Sequence, residues 1–263
     1  MQSDPRTWIA ALRNSHKRLT GLVGELIPEQ IRGGSYCSDW TIAQVLSHLG
    51  SGAEIGLMML PGALGEGEQA APDSFPPVWD VWNAKTPEQQ AADSLVADER
   101  NVEAMEGLSD EQLSRISMSF FGGMILDAIG FIRLRLGEHA LHTWDVAERL
   151  DPAATVSPDA VDLLIDNVPE FLAPRLGKPL DEPFAVRIRT TDPDRDYLLA
   201  TTDAVTMTEW PEGGTGARVG EVTMPAEALL RLAYGRLDPE HTPATVTGDP
   251  ADLDRLRAVF PGF

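Results

Sequence analysis

The stretch RLRLGEHALHTWDVAER, Arg133 to Arg149, decides how the chain is read. Ile125, Ile129, Ile132, Leu136, Ala140, Ala147 and Leu150 recur every three or four residues, with Thr143 in the same stripe, and so predict an amphipathic helix. At about 100° per residue, Arg135, Glu138, His142, Asp145 and Arg149 fall nearly opposite that stripe. Glu138 and His142 stand at i and i+4, one turn apart on one face, the spacing at which two side chains can share one ion. Taken alone, a face of this composition fits a solvated, salt-bridged surface better than a ligand site. A third ligand has to come from another element.

Three further helices are predicted upstream. The first starts near Pro5, capped by Ser3 or Asp4, and runs to about Ile27 with Ile9, Leu12, Leu19, Val23 and Leu26 as its stripe; Pro28 stops it. His16 lies on that stripe and reads as a satisfied core histidine. The second grows out of SYCSDWTIAQVLSHLG, where Ser38, Asp39 or Thr41 can cap a helix carrying Ile42, Val45, Leu46, Leu49, Ala53, Leu57 and Leu60. His48 sits at the boundary of this stripe, from which a side chain can reach a neighbouring helix; by itself it reads as a hydrogen-bonding residue. Cys37 reads as a packed thiol, because no cationic partner is evident beside it. The Pro- and Gly-rich segment from Pro61 to Thr86 cannot be one regular element, and its Phe75, Trp79 and Trp82 suggest a lid or pocket wall. Thr86, Pro87 and Gln89 open a third helix with Ala91, Leu95, Val102 and Met105 as its stripe. Leu108 to Met124, with Phe120 and Phe121, is read as a connection.

Four helices of about twenty residues with one long crossover describe a four-helix bundle, a fold that builds metal sites from facing helices. His48 with Glu138 and His142 would supply two imidazoles and a carboxylate, a set suited to a divalent metal that keeps an open position. Asp145 is placed to support a ligand histidine by a hydrogen bond; pairing with Arg149 is the alternative. After Asp151 and Pro152 the pattern changes. Ser157 caps a helix to about Leu176, then period-two alternation appears in FAVRIRT, YLLAT, AVTMTEW and RVGEVTM, separated by Asp-, Pro- and Gly-rich turns. A helix around Ala226 to Tyr234, a short TPATVTG strand and a helix from Asp249 to Val259 close the chain. The fold class is therefore α+β: a bundle over residues 1–151 and a smaller α+β domain with an antiparallel sheet over residues 152–263.

Forty-one acidic against 21 basic residues give a net charge of -20, which argues against a nucleic-acid partner. No apolar run approaches the roughly 18 residues of a membrane span and the start of the chain lacks a signal-peptide layout, so a cytoplasmic monomer with no membrane partner is expected. One cysteine excludes an internal disulfide.

CSDWTIAQVLSHLG and GEHALHTWDVAE resemble the Cys-x-x-Trp-Thr helix start and Glu-x-x-x-His segment of the mycothiol-dependent maleylpyruvate isomerase family, within the DinB-like metal-binding four-helix bundles. LLRLAYGRLDPEHTPATVTGD is similar to the end of that family's sterol-carrier-protein-like C-terminal domain, so the resemblance spans the chain. It implies that His48, Glu138 and His142 are ligands to a divalent metal, normally zinc, and that mycothiol is the thiol cosubstrate. The implied activity is addition of that low-molecular-weight thiol to an electrophilic small-molecule substrate, ending in cis–trans isomerisation or in S-transfer. Two positions depart from the family: His139 adds an imidazole beside Glu138, and Thr143 stands where arginine is common. An important C-terminal arginine best matches Arg236, which could grip a substrate carboxylate; the alternative is an arginine that satisfies helix-terminal carbonyls. A rival reading of the whole chain is a non-catalytic small-molecule binding protein whose His/Glu cluster is structural.

Overall fold

The computed structural model describes residues 4–37, 39–120, 123–216 and 218–262. The chain divides into two compact units, Met1–Thr155 and Val156–Phe263.

The first unit is helical: α1 (Pro5–Glu25), α2 (Pro28–Ile31), α3 (Ile42–Ala63), α4 (Pro76–Asn83), α5 (Pro87–Glu106), α6 (Asp110–Arg115) and α7 (Ala128–Ala147). Its helix starts are set by side-chain caps that satisfy otherwise orphaned N–H groups, each contributing about 1 kcal/mol. Asp4 accepts from the Arg6 N–H, Thr41 and Thr86 form capping boxes with Gln44 and Gln89, and Asp127 accepts from the Gly130 N–H. Of the other candidate caps, Ser3 and Ser38 lie outside the described residues, and at the third, Asp39, the cap falls instead to Thr41. α3 packs on α5 and α1 on α7, while α1–α5 and α3–α7 contacts close the ring of four. Leu12, Leu19, Leu46, Leu49, Ile132 and Leu136 are sealed inside it.

Three expectations change here. The segment from Leu108 to Met124 is not a plain connection, because it holds α6 and the first strand of a hairpin, β1 (Met118–Phe120) with β2 (Met124–Leu126); Phe121 lies outside the described residues. Ile125 therefore belongs to β2, where it is 63% exposed, and α7 begins three residues later. Within the Pro61–Thr86 segment α3 continues to Ala63 and α4 forms, and Trp82 is core rather than wall. Its ring fills the space that glycine leaves at Gly50, where an added Cβ would come within 2.2 Å of it, and its indole N–H donates to Glu54 at 2.9 Å. The polar face of α7 is only partly solvated: Asp145 is fully buried and His142 nearly so, while Glu138 stays exposed. α1, α3 and the loop ahead of α3 enclose this helix on several sides, as the Tyr36 N–H to Asp145 carbonyl bond illustrates.

The second unit begins with α8 (Pro158–Leu164), a π-helical turn (Val168–Leu172) and α9 (Ala173–Leu176). A single helix from Ser157 to Leu176 was the expectation; Pro169 and Pro174 remove backbone donors and break it. The sheet holds β3 (Phe184–Thr191), β4 (Arg195–Thr201), β5 (Val205–Glu209), β6 (Gly220–Pro225) and β7 (Thr247–Gly248) in the order β5-β4-β3-β6-β7. It is mixed, since β3 pairs with β6 in parallel and the other pairs are antiparallel. Phe184, Val186 and Ile188 alternate inward along β3, the period that FAVRIRT carries. α10 (Ala226–Ala233) and α11 (Pro250–Val259) complete the unit. Among the described residues no helix is long and apolar enough to cross a membrane.

Candidate metal centre

α3 and α7 bring His48, Glu138 and His142 together, with one donor atom from each lying within 4.8 Å of the others. His48 Nε2 is 3.0 Å and His142 Nε2 3.6 Å from the same carboxylate oxygen, Glu138 Oε2. The i,i+4 spacing supplies the second pair; the first exists because the boundary position of His48 faces across to α7. The Trp40 ring lies over both imidazoles, with centroids 5.2 Å from His48 and 6.1 Å from His142, and walls one flank. Glu138 remains 47% exposed, so the donors open to solvent on one side.

Asp145 stands one turn along α7. His142 Nδ1 is 2.7 Å from Asp145 Oδ2, and the Cys37 thiol donates to the same oxygen at 3.2 Å. Cys37 thus sits beside His142, although the sequence shows no cationic partner for it; the chain brings the two together across more than a hundred positions. Arg149 pairs with Glu148 at 3.7 Å. Burial alone would lower the pKa of His142, but hydrogen bonds involving Asp145, Cys37 and Glu138 outweigh it and push the imidazole up to about 10. Burial alone would raise Glu138, but hydrogen bonds from His142 and His48 hold its carboxyl well below the usual range. The donors therefore fit a divalent cation: an ionised carboxylate and two imidazoles, one of them, His142, oriented by a carboxylate on its far nitrogen, as metal-binding histidines are.

A second polar cluster lies deeper, and sequence reasoning missed its key member, Asp98. His16 of α1, Asp98 of α5 and His139 of α7 are all buried, with donor atoms within 4.8 Å of one another. Asp98 ion-pairs with Arg135 and lies 3.1 Å from His139 Nε2, while His139 Nδ1 is 2.8 Å from Ser15 Oγ. Burial pushes His139 down, and Arg135 helps hold Asp98 ionised against the opposing effect of burial. The Ser–His–Asp order resembles a hydrolytic triad, but all three side chains are sealed from solvent and no substrate can reach the hydroxyl. Nor is it a second cation site: Arg135 already neutralises Asp98, and a divalent ion would add charge to a closed interior. His16 Nε2 pairs with Glu99 at 2.8 Å while its Nδ1 has no partner, so it is only half satisfied.

Arg236 lies in the second unit just after α10, nearly buried, where its Nη1 donates to the Tyr234 carbonyl at 3.0 Å. Gly235, at φ 72°, makes the turn that returns the guanidinium to that carbonyl.

A four-helix bundle in which two helices bring His48, Glu138 and His142 together, joined in one chain to a unit built on a mixed sheet, defines a two-unit α+β protein. Residues 12–147 match the mycothiol maleylpyruvate isomerase N-terminal domain and residues 164–255 the MDMPI C-terminal domain. The chain belongs to the mycothiol-dependent maleylpyruvate isomerase family. Its fold is similar to the crystal structure of the mycothiol-dependent maleylpyruvate isomerase, with a TM-score of 0.69 at 13% identity over 94% of this chain and 93% of that one. A histidine-to-alanine mutant of that enzyme matches with a TM-score of 0.66 at 12% identity over 89% of this chain and 90% of that one. No curated protein matches the chain by sequence.

Proposed function

We propose that the protein is a metal- and thiol-dependent enzyme that uses mycothiol, or a thiol like it, against an electrophilic small molecule. The observation that carries this reading is the convergence of His48, Glu138 and His142 from two helices on one solvent-facing point. When bound there, a divalent cation such as zinc would lower the pKa of an incoming thiol and make a thiolate available at neutral pH. The chain's own residues prepare the place. Asp145 accepts the His142 Nδ1 proton and directs Nε2 toward the centre, Glu138 brings negative charge, and Trp40 excludes water from one flank.

In isomerisation the thiolate adds to a conjugated cis double bond, the new single bond rotates, and expulsion of the thiolate regenerates the thiol and the trans alkene. In S-transfer it displaces a leaving group and stays on the product. Family membership favours the first. Arg236 is our candidate for gripping a substrate carboxylate, with helix termination as its rival role.

His48→Ala tests the reading, because one of three proposed protein ligands is lost from a partly exposed position outside the apolar core. The variant is expected to fold, to lose its bound metal and to lose thiol addition to maleylpyruvate. Full metal content in His48→Ala would reject the site, and a metal-free wild type that binds small apolar ligands would favour the non-catalytic alternative.

A further inference from the structure

The donors must meet between α3 and α7, yet α3 packs chiefly on α5 and α7 chiefly on α1. Besides the donors themselves, Arg135 spans the thinner interval. Arg135, three residues before Glu138, donates through Nη2 to the carbonyl of Leu49, the residue after His48, at 2.8 Å. The same nitrogen is ion-paired with Asp98 of α5. Asp98 in turn lies against His139, the residue after Glu138, and Ser15 of α1 fixes the other nitrogen of that ring. All four long helices are thus tied at the level of the metal donors.

The backbone of α3 is shaped to admit this arrangement. A Cβ on Gly52 would stand 3.1 Å from Arg135 Nη1, so the glycine leaves room for the guanidinium. One turn on, Asn101 of α5 donates to the Ala53 carbonyl at 3.0 Å, and Gly56 leaves room for its amide. Arginine suits the task because its Nη2 carries two N–H donors on a rigid planar group, which fixes the direction to the carbonyl and to the carboxylate, where a lysine ammonium would swing on a flexible stem.

We propose that the Arg135–Asp98 pair is a positioning device that sets the separation of His48 from Glu138 and His142 and thereby the affinity of the metal centre. The inference rests on the reading of those three residues as metal ligands.

Its test uses the full chain titrated with Zn2+ against a chromophoric chelator, and with Co2+, whose visible spectrum reports ligand geometry. Arg135→Lys keeps the charge and is expected to weaken Zn2+ about 2- to 30-fold, the range for a residue that acts through its neighbours without touching a ligand side chain, and to alter the Co2+ spectrum. Gly52→Ala should shift both in the same direction but less, and without loss of melting temperature, because alanine favours the helix. Arg13→Lys is the control. Arg13 joins α1 to α5 through Glu99 and Glu106 without touching α3, so its loss should lower the melting temperature and leave both metal readouts unchanged. Wild-type Zn2+ affinity and Co2+ spectrum in Arg135→Lys would overturn the inference while the metal site stands. Failure of wild type to bind either ion more tightly than His48→Ala would instead overturn the site, and the inference with it.

Discussion

Metal uptake at His48, Glu138 and His142 is expected to release at least one proton per ion near neutral pH, the one carried by His142. In the metal-free protein the imidazole of His142 is pushed up to about 10, chiefly because hydrogen bonds with Asp145, Cys37 and Glu138 outweigh its burial. A cation that takes His142 Nε2 must expel that proton. About three pKa units above neutrality, at 1.36 kcal/mol each, make the displacement cost about 4 kcal/mol at pH 7. Apparent affinity should therefore rise at least about tenfold for each pH unit between about pH 6 and about pH 8. Glu138 is held below the ordinary carboxylate range and is already ionised, so it adds no proton. Calorimetric titration with Zn2+ in buffers of differing ionisation enthalpy counts the protons, and chelator competition across the same interval gives the slope. Zero proton release together with an affinity independent of pH would refute the assignment of His142 as both proton carrier and ligand.

Asp145→Asn removes the carboxylate that orients His142 Nδ1 and should weaken metal binding about 10- to 100-fold; unchanged affinity in chelator competition would leave Asp145 without that role. Gly50→Ala would drive a methyl group into the Trp82 ring and should destabilise the first unit by roughly 1–3 kcal/mol, read as a lower urea midpoint at unchanged slope. Arg236→Ala should raise KM for a carboxylate-bearing electrophile several-fold with little change in kcat. A fall in melting temperature with KM unmoved would assign Arg236 to the end of α10 alone.

What could be read from the chain was local. Thr41 with Gln44, and Thr86 with Gln89, announce their helices within four residues, FAVRIRT announces its strand by alternation, and Glu138 and His142 share a face by spacing alone. The hairpin after α6 was missed because its strands are three residues each, too short for alternation to register. The long helix after Ser157 was overdrawn because the periodic stripe outvoted Pro169 and Pro174. Asp98 left a signal that could have been used. It continues a line from Ala91 through Ser94 to Asn101 and Met105, all buried, so a charged residue stood in the stripe itself. A helical wheel cannot distinguish a solvated carboxylate from one that meets an arginine of another helix.

The buried pair also poses a question of energetics. Removing Asp98 and Arg135 from water is costly, and closely packed apolar side chains of similar volume would stabilise such a core as well or better. Their stability contribution therefore does not account for them. Their placement does: Arg135 is one turn from Glu138, its acceptor on α3 is the carbonyl beside His48, and Asp98 touches the imidazole next to Glu138. An apolar replacement would fill the volume but fix no register between α3 and α7, since apolar contacts slide where a charged fork does not. A donor set assembled from two helices tolerates little sliding, because misplacing one ligand by about an ångström costs orders of magnitude in function. The combined variant Asp98→Leu, Arg135→Met and His139→Leu, which also removes the buried imidazole that loss of Asp98 would leave unpartnered, separates the two terms. It should hold or raise the melting temperature of the metal-free protein while losing Zn2+ affinity, and a variant both as stable and as tightly metal-binding as wild type would show that the pair sets nothing.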